Sequence, residues 1–174
     1  VVSMMFRSIS SAALAVVMMS ASPTWAETDD KGFVITKPEE MKWVQFAGVG
    51  STSVAALEGD GGKPGVYVVR VKFPPNLFSR PHAHKEDRHI TVLKGTWYMG
   101  KGPDFDPSKA VAVPAGSYVK HPAGEVHWDG SKDEEVILHI VGVGPGSTNW
   151  VSKDTPNFGP AKYATEKNWI GRRD

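Results

Sequence analysis

Turn-forming residues are spread along most of the chain and leave little room for long helices. Eighteen glycines and thirteen prolines stand among 174 residues, so the apolar runs between them are short. Residues 66–73 alternate as a half-buried strand does, with Tyr67, Val69 and Val71 on one face. Pro74 and Pro75 end that run. These frequent glycines and prolines favour many short strands joined by turns, and they predict an all-β sandwich or barrel.

Further strands are predicted by short apolar runs between turn signals. They cover residues 41–46, 51–57, 90–99, 110–113, 117–120 and 135–143. Lys94-Gly95 interrupts residues 90–99 and predicts a hairpin there. Residues 135–143 are apolar on both faces, which indicates a strand between two packed sheets or at a subunit contact. Residues 162–170 fit a short terminal helix.

The first 26 residues have the pattern of a secretory signal. Arg7 is the only charge before Glu27, residues 12–19 are apolar, and small side chains follow at Thr24 and Ala26. The apolar run is too short to cross a bilayer, which takes about 20 residues. We expect cleavage after Ala26, a periplasmic or secreted protein, and no membrane span in the mature form. The alternative is an amphipathic or buried N-terminal helix.

The predicted organisation is a signal peptide at 1–26, an N-terminal arm at 27–40, a barrel at 41–146 and a tail at 147–174. Twenty basic and nineteen acidic residues nearly balance, so the chain has no general attraction to nucleic acid. Cysteine is absent, which excludes disulfides, a thiol nucleophile and cysteine-ligated metal. Any transition-metal site must therefore use histidines and carboxylates.

The histidines are unevenly placed and suggest such a site. His82 and His84 are two residues apart, so on an extended segment both imidazoles point to the same side. His127 follows the turn sequence Pro122-Ala123-Gly124 and supplies a third imidazole from another strand. Neutral imidazole suits Fe, Ni, Cu and Zn ions. These three residues are the predicted ligands of one divalent transition metal (Fe, Mn, Zn, Ni or Cu).

Two segments resemble the motifs of the cupin superfamily. The first reads PHAHKEDRHITVLKG and contains His82, His84 and Gly95; the second reads PAGEVHW and contains His127. The resemblance extends over about residues 66–146 and is closest to small, single-domain, secreted bacterial cupins. It implies a jelly-roll barrel, the double-stranded β-helix, with one metal ion at its mouth. Together with the doubly apolar residues 135–143, it also implies a homodimer.

The chain departs from the family at the acidic ligand of the first motif, where Arg88 stands. Arginine stays protonated and offers no lone pair to a metal. Three histidines beside an inward guanidinium would favour an anionic guest, whereas pairing with Glu86 or Asp87 would turn Arg88 away. The fourth ligand is left open. Candidates are Glu86, Asp87, His89 and His139, or none.

Four residues are predicted to contact a small-molecule ligand: Arg88, Trp97, Trp128 and His139. Asp129 shares a strand face with His127 and fits a supporting role, while His121 is interpreted as structural because Pro122 holds it extended. The resemblance, together with these residues, implies a metal-dependent enzyme, dioxygenase-like or isomerase-like, acting on a small and anionic molecule. The alternatives are a non-catalytic periplasmic metal or ligand binder, and a structural barrel without metal.

Overall fold

The computed structural model describes residues 29–45 and 52–161. Strands dominate these residues, which also contain two single 3₁₀ turns, Pro38–Glu40 and Pro107–Lys109. The strands are β1 (Val44–Gln45), β2 (Ser53–Glu58), β3 (Gly65–Phe73), β4 (Phe78–Ser79), β5 (His82–Ala83), β6 (Arg88–Lys94), β7 (Thr96–Lys101), β8 (Val111–Pro114), β9 (Tyr118–His121), β10 (His127–Ser131), β11 (Val136–Gly144), β12 (Asn149–Trp150) and β13 (Phe158–Gly159).

The strands form two antiparallel sheets. The first has the order β1-β2-β3-β11-β6-β9. In the second, β4 and β5 pair along one edge of β10, with β13 and β12 outside them, while β7 pairs along the other edge and β8 lies beyond it. Two antiparallel sheets packed face to face confirm the predicted all-β, jelly-roll class.

The core lies between the sheets and is built on β3 and β11. These strands pair without interruption from Val136 opposite Phe73 to Gly144 opposite Gly65. Val136, Leu138 and Ile140 point inward and are buried. The opposite face of β11 is only partly covered, and Val143 there is 61% exposed. The expectation that two packed sheets cover both faces of residues 135–143 is therefore wrong, while coverage of the outer face at a subunit contact stays a prediction.

The predicted hairpin at Lys94-Gly95 is also wrong. The turn is present and Gly95 has a φ of 74°, which a glycine adopts without strain. However, β6 belongs to the first sheet and pairs with β11 and β9, whereas β7 belongs to the second and pairs with β10 and β8. The chain crosses between sheets at this turn, and the crossing closes one corner of the barrel.

Both ends of the predicted organisation are only partly described. The predicted signal peptide and the predicted helix at 162–170 lie outside the described residues. Of the arm, residues 29–40 are mostly exposed. The predicted tail contributes β12 and β13, which extend the second sheet, so the barrel continues past Gly146. No described helix is long and apolar enough to cross a membrane.

Candidate metal centre

The three predicted histidine ligands come together at the second sheet. His82 lies on β5, opposite His127 on β10 in the antiparallel register, and His84 follows directly after β5. All three side chains are buried, and each offers a nitrogen within 4.8 Å of a nitrogen from each of the others. The pairing of β5 with β10 thus brings His82 and His127 together, and the spacing of two residues places His84 on the same side as His82.

Backbone contacts orient all three rings in the same way. Each Nδ1 hydrogen-bonds a carbonyl oxygen: His82 that of Arg80 at 2.7 Å, His84 that of Ser147 at 2.8 Å, and His127 that of Glu125 at 3.0 Å. A carbonyl oxygen only accepts, so Nδ1 must carry the proton and donate it. Every Nε2 therefore keeps a lone pair, and that arrangement fits a divalent transition metal.

Burial keeps these imidazoles neutral. It lowers the pKa of His82 to about 4 and the pKa of His84 to about 3, with the positive charge of Arg88 adding to both effects. Burial also lowers the pKa of His127, although the carboxylate of Asp129 acts in the opposite direction. A metal ion needs the neutral form, so these ligands are ready to bind at neutral pH.

His121 and Asp129 lie beside this cluster and share His127 with it, although His121 was interpreted from the sequence as structural. The rings of His121 and His127 are 3.7 Å apart, centroid to centroid. Burial lowers the pKa of His121 to about 2, and its Nε2 has no hydrogen-bond partner among the described residues. Asp129 Oδ2 lies 4.0 Å from His127 Nε2, and burial raises the pKa of this carboxyl. His121, His127 and Asp129 form a second group of converging ligand atoms.

Arg88 lines the pocket and also pairs with Glu86, so the pairing considered from the sequence does not turn the side chain away. Its Nε and Nη2 donate to Glu86 Oε1 at 2.9 and 2.8 Å, which leaves Nη1 outside these two bonds. Tyr67 donates its hydroxyl to the same oxygen at 2.9 Å. Burial acts to raise the pKa of Glu86, but these hydrogen bonds and the charge of Arg88 hold it below its usual value.

None of the candidate fourth ligands lies with the three histidines in a cluster of ligand atoms, as far as the described residues show. Glu86 is engaged by Arg88. Asp87 pairs with Lys120 at 2.6 Å and accepts the backbone N–H of Ala123. The Nδ1 of His89 is hydrogen-bonded to the hydroxyl of Tyr118, on the exposed side of the sheet.

Two of the four predicted ligand-contacting residues point away from the pocket. His139 alternates with Leu138 and Ile140, which line the pocket, so its ring lies on the outer face of β11 near Arg70. Trp128 alternates with His127 and Asp129 in the same way. It packs against Phe105 outside the pocket and donates Nε1–H to the Asp104 carbonyl at 2.9 Å. These two placements correct the expectation from the sequence.

The other two, Arg88 and Trp97, line a pocket beside the histidines. The cavity has a volume of about 230 Å³, enough for a small molecule but not for a large one. Its wall is largely apolar. The lining residues are Thr52, Val71, Phe73, Ser79, His82, His84, Arg88, Ile90, Trp97, His121, Asp129, Leu138, Ile140, Thr148, Trp150, Asn157 and Phe158.

Comparison with known proteins agrees with this architecture. Residues 31–146 match the ChrR cupin-like domain family. No curated protein shows significant sequence similarity to the chain.

Solved structures with the same fold include enzymes. The polyketide cyclase RemF from Streptomyces resistomycificus has a TM-score of 0.62 at 18% identity, with 79% of this chain and 96% of that chain covered. The DMSP lyase DddQ from Ruegeria pomeroyi has a TM-score of 0.53 at 17% identity, with 65% and 62% covered. A cupin-like protein from Thermotoga maritima has a TM-score of 0.51 at 23% identity, with 68% and 88% covered. At these identities the likeness concerns the fold.

Proposed function

The chain belongs to the ChrR cupin-like domain family, and on this premise we propose that it is a metal-dependent enzyme acting on a small anionic molecule. The ion is one divalent transition metal, held by His82, His84 and His127. The observation that carries the proposal is their common orientation: three Nδ1–H groups are fixed by backbone carbonyls, and three Nε2 lone pairs are left in a cluster from which His82 and His84 line a pocket.

The pocket suggests the class of substrate. Its volume of about 230 Å³ and its apolar wall favour a compact molecule with a hydrophobic part. Arg88 contributes a guanidinium whose Nη1 is outside the Glu86 ion pair and can bind a carboxylate. Trp97 closes the wall and shapes the space around the apolar part.

The expected chemistry is of the dioxygenase or isomerase kind. A divalent ion held by the three histidines would supply a Lewis acid able to polarise the bound molecule. The residues of the chain bind the anionic end, orient the apolar end and limit the access of water. That RemF is a cyclase and DddQ a lyase supports catalysis in a barrel of this shape.

Calorimetric titration tests the proposal. In metal-loaded protein, small carboxylates should bind at least tenfold more tightly than their neutral amides. The Arg88→Gln variant should lose that preference while keeping its metal. Equal binding of acid and amide to wild type would contradict the anionic substrate class. A ligand that binds tightly but is recovered unchanged, with oxygen present, would favour the non-catalytic binder.

We also propose export and homodimerisation. The proposal of a periplasmic or secreted location rests on the pattern of residues 1–26. For the dimer, support comes from the outer face of the first sheet, where Val66, Tyr118 and Val143 are all more than half exposed. Sedimentation velocity at micromolar concentration should give the mass of two chains, and a monomer would remove the dimer.

A further inference from the structure

A buried nitrogen next to the three histidines lacks a partner. His121 is only 3% exposed, and its Nε2 makes no hydrogen bond with any described residue. Buried polar atoms are nearly always paired, because leaving one unpaired costs the free energy of its lost hydration. His121 also lines the pocket. Its unpaired nitrogen therefore points to a group that the pocket receives.

Strand pairing explains how His121 comes to be there. In the antiparallel register of β6 and β9, His121 lies directly opposite Arg88. Residues that face each other in this way project from the same side of a sheet. Arg88 lines the pocket, so His121 must do so too. Its neighbours in β9 confirm the alternation, since Tyr118 and Lys120 are exposed while His121 is buried.

The position of His121 relative to His127 decides which ion it can bind. Their rings are 3.7 Å apart, and both belong to a group whose ligand atoms lie within 4.8 Å of one another. His127 has committed Nδ1 to the carbonyl of Glu125, so only Nε2 is free to bind an ion. One lone pair binds one ion. His127 is the one member common to this group and to the three-histidine group, so an ion on its Nε2 is the ion that His121 can reach. No described group contains all four histidines, so a common ion must draw these rings together when it binds.

We propose that His121 is a fourth histidine ligand of the same ion, which joins His82, His84 and His127. This inference rests on the proposed metal site. The resulting centre has four neutral nitrogens and keeps the full charge of the dication. It compensates for the arginine at position 88, where β6 provides no acidic ligand, with an imidazole from the adjacent strand.

The test compares metal binding in matched variants. His121→Phe keeps a planar ring of similar size and removes the nitrogens, and His121→Gln is the second variant should the first not fold. The controls are His89→Phe and His139→Phe, which change histidines outside the pocket. Zn²⁺ affinity is measured by competition with a chromophoric chelator, and coordination by the visible absorption of the Co²⁺ form.

We expect His121→Phe and His121→Gln to bind Zn²⁺ at least tenfold more weakly than wild type, still with one ion per chain, and to change the Co²⁺ spectrum. The controls should match wild type. Wild-type affinity and an unchanged Co²⁺ spectrum in the folded His121 variants would overturn the fourth ligand and leave the three-histidine site standing. Failure of wild type to bind metal would instead overturn the proposed function.

Discussion

Arg88 Nη2 lies 2.8 Å from Glu86 Oε1, and this ion pair is at the edge of the pocket and not in the surrounding solvent. The Glu86 side chain is only 8% exposed, against 20% for Arg88. Tyr67 and the backbone N–H of Ser147 complete the coordination of the carboxylate. The pair therefore fixes the guanidinium in one place and offsets part of its charge.

Removing the carboxylate should cost stability. In Glu86→Gln the guanidinium loses its charged partner while it stays half-buried, and we expect a loss of about 1–3 kcal/mol, less than for a fully buried pair. Urea unfolding measures it. The control is Glu135→Gln, since Glu135 pairs with Lys94 at 3.0 Å on the surface. That change should cost less than about 1 kcal/mol. Equal costs in the two variants would contradict a structural role for the Glu86 pair.

The buried histidines should make the metal-free protein sensitive to acid. Their folded pKa values, about 4 for His82 and about 3 for His84, lie below the unfolded value near 6.5. The unfolded chain then binds more protons, so this stability is fully present above about pH 6.5 and is lost as pH falls toward the folded values. Each such group adds a slope of up to about 1.4 kcal/mol per pH unit.

Urea unfolding of metal-free protein between pH 5 and 8 measures this dependence. His121→Phe should reduce the slope below pH 6.5 by the share of one histidine, because burial lowers the pKa of His121 to about 2. His89→Phe, at an exposed position, is the control. A stability that stays flat across this range in wild type would contradict the lowered pKa values, because it would mean that the imidazoles titrate in the fold as they do in the unfolded chain.

Trp128 should matter for folding and not for the ligand. It is buried against Phe105, and an added Cβ at Gly100 would overlap its ring. Trp128→Ala should therefore destabilise the protein by about 3–5 kcal/mol. Metal affinity of the folded fraction should be unchanged, whereas Trp97→Ala should also alter ligand binding because Trp97 lines the pocket. A large loss of ligand affinity in folded Trp128→Ala would place that indole at the site after all.

Export makes a prediction about the mature N-terminus. N-terminal sequencing of protein recovered from the periplasm or medium should begin at or close to Glu27, without Arg7. A cytoplasmic product that retains Met18 and Met19 would contradict export. The barrel and the metal site would not be affected by that result.

Local sequence signals predicted much of the fold and the three central histidines. The alternation in residues 66–73 corresponds to β3, with Tyr67 and Phe73 buried. The spacing of His82 and His84 needed only an extended backbone to bring both rings to one side. These features depend on neighbours in the chain, which is the information that a single sequence contains most directly.

Features that depend on strand pairing were not predictable in the same way. The turn at Gly95 is visible in the sequence, but which sheet receives β7 is decided by its pairing with β10. His139 lies in a run that is apolar on both faces, so alternation could not show its direction. The outward direction of Trp128 could have been predicted from the sequence, because an inward His127 requires its neighbour in a strand to point outward.

His121 shows the same limit most clearly. Its place in the pocket follows from the register of β6 and β9, which opposes it to Arg88. The alternation in that strand was a usable signal for the direction of His121, because Tyr118 and Lys120 fall on its exposed face and His121 falls on the other. Its proximity to His127, however, comes from strands in two different sheets and required the three-dimensional structure.

The most direct measurement is the metal content of untagged protein, reconstituted with a divalent transition metal and dialysed, beside the His82→Ala/His84→Ala double variant. The account predicts about one ion per chain in wild type and almost none in the double variant, because removing two of the oriented Nε2 donors destroys the site. Stoichiometric metal in a folded double variant, or no metal in wild type, would contradict the histidine centre.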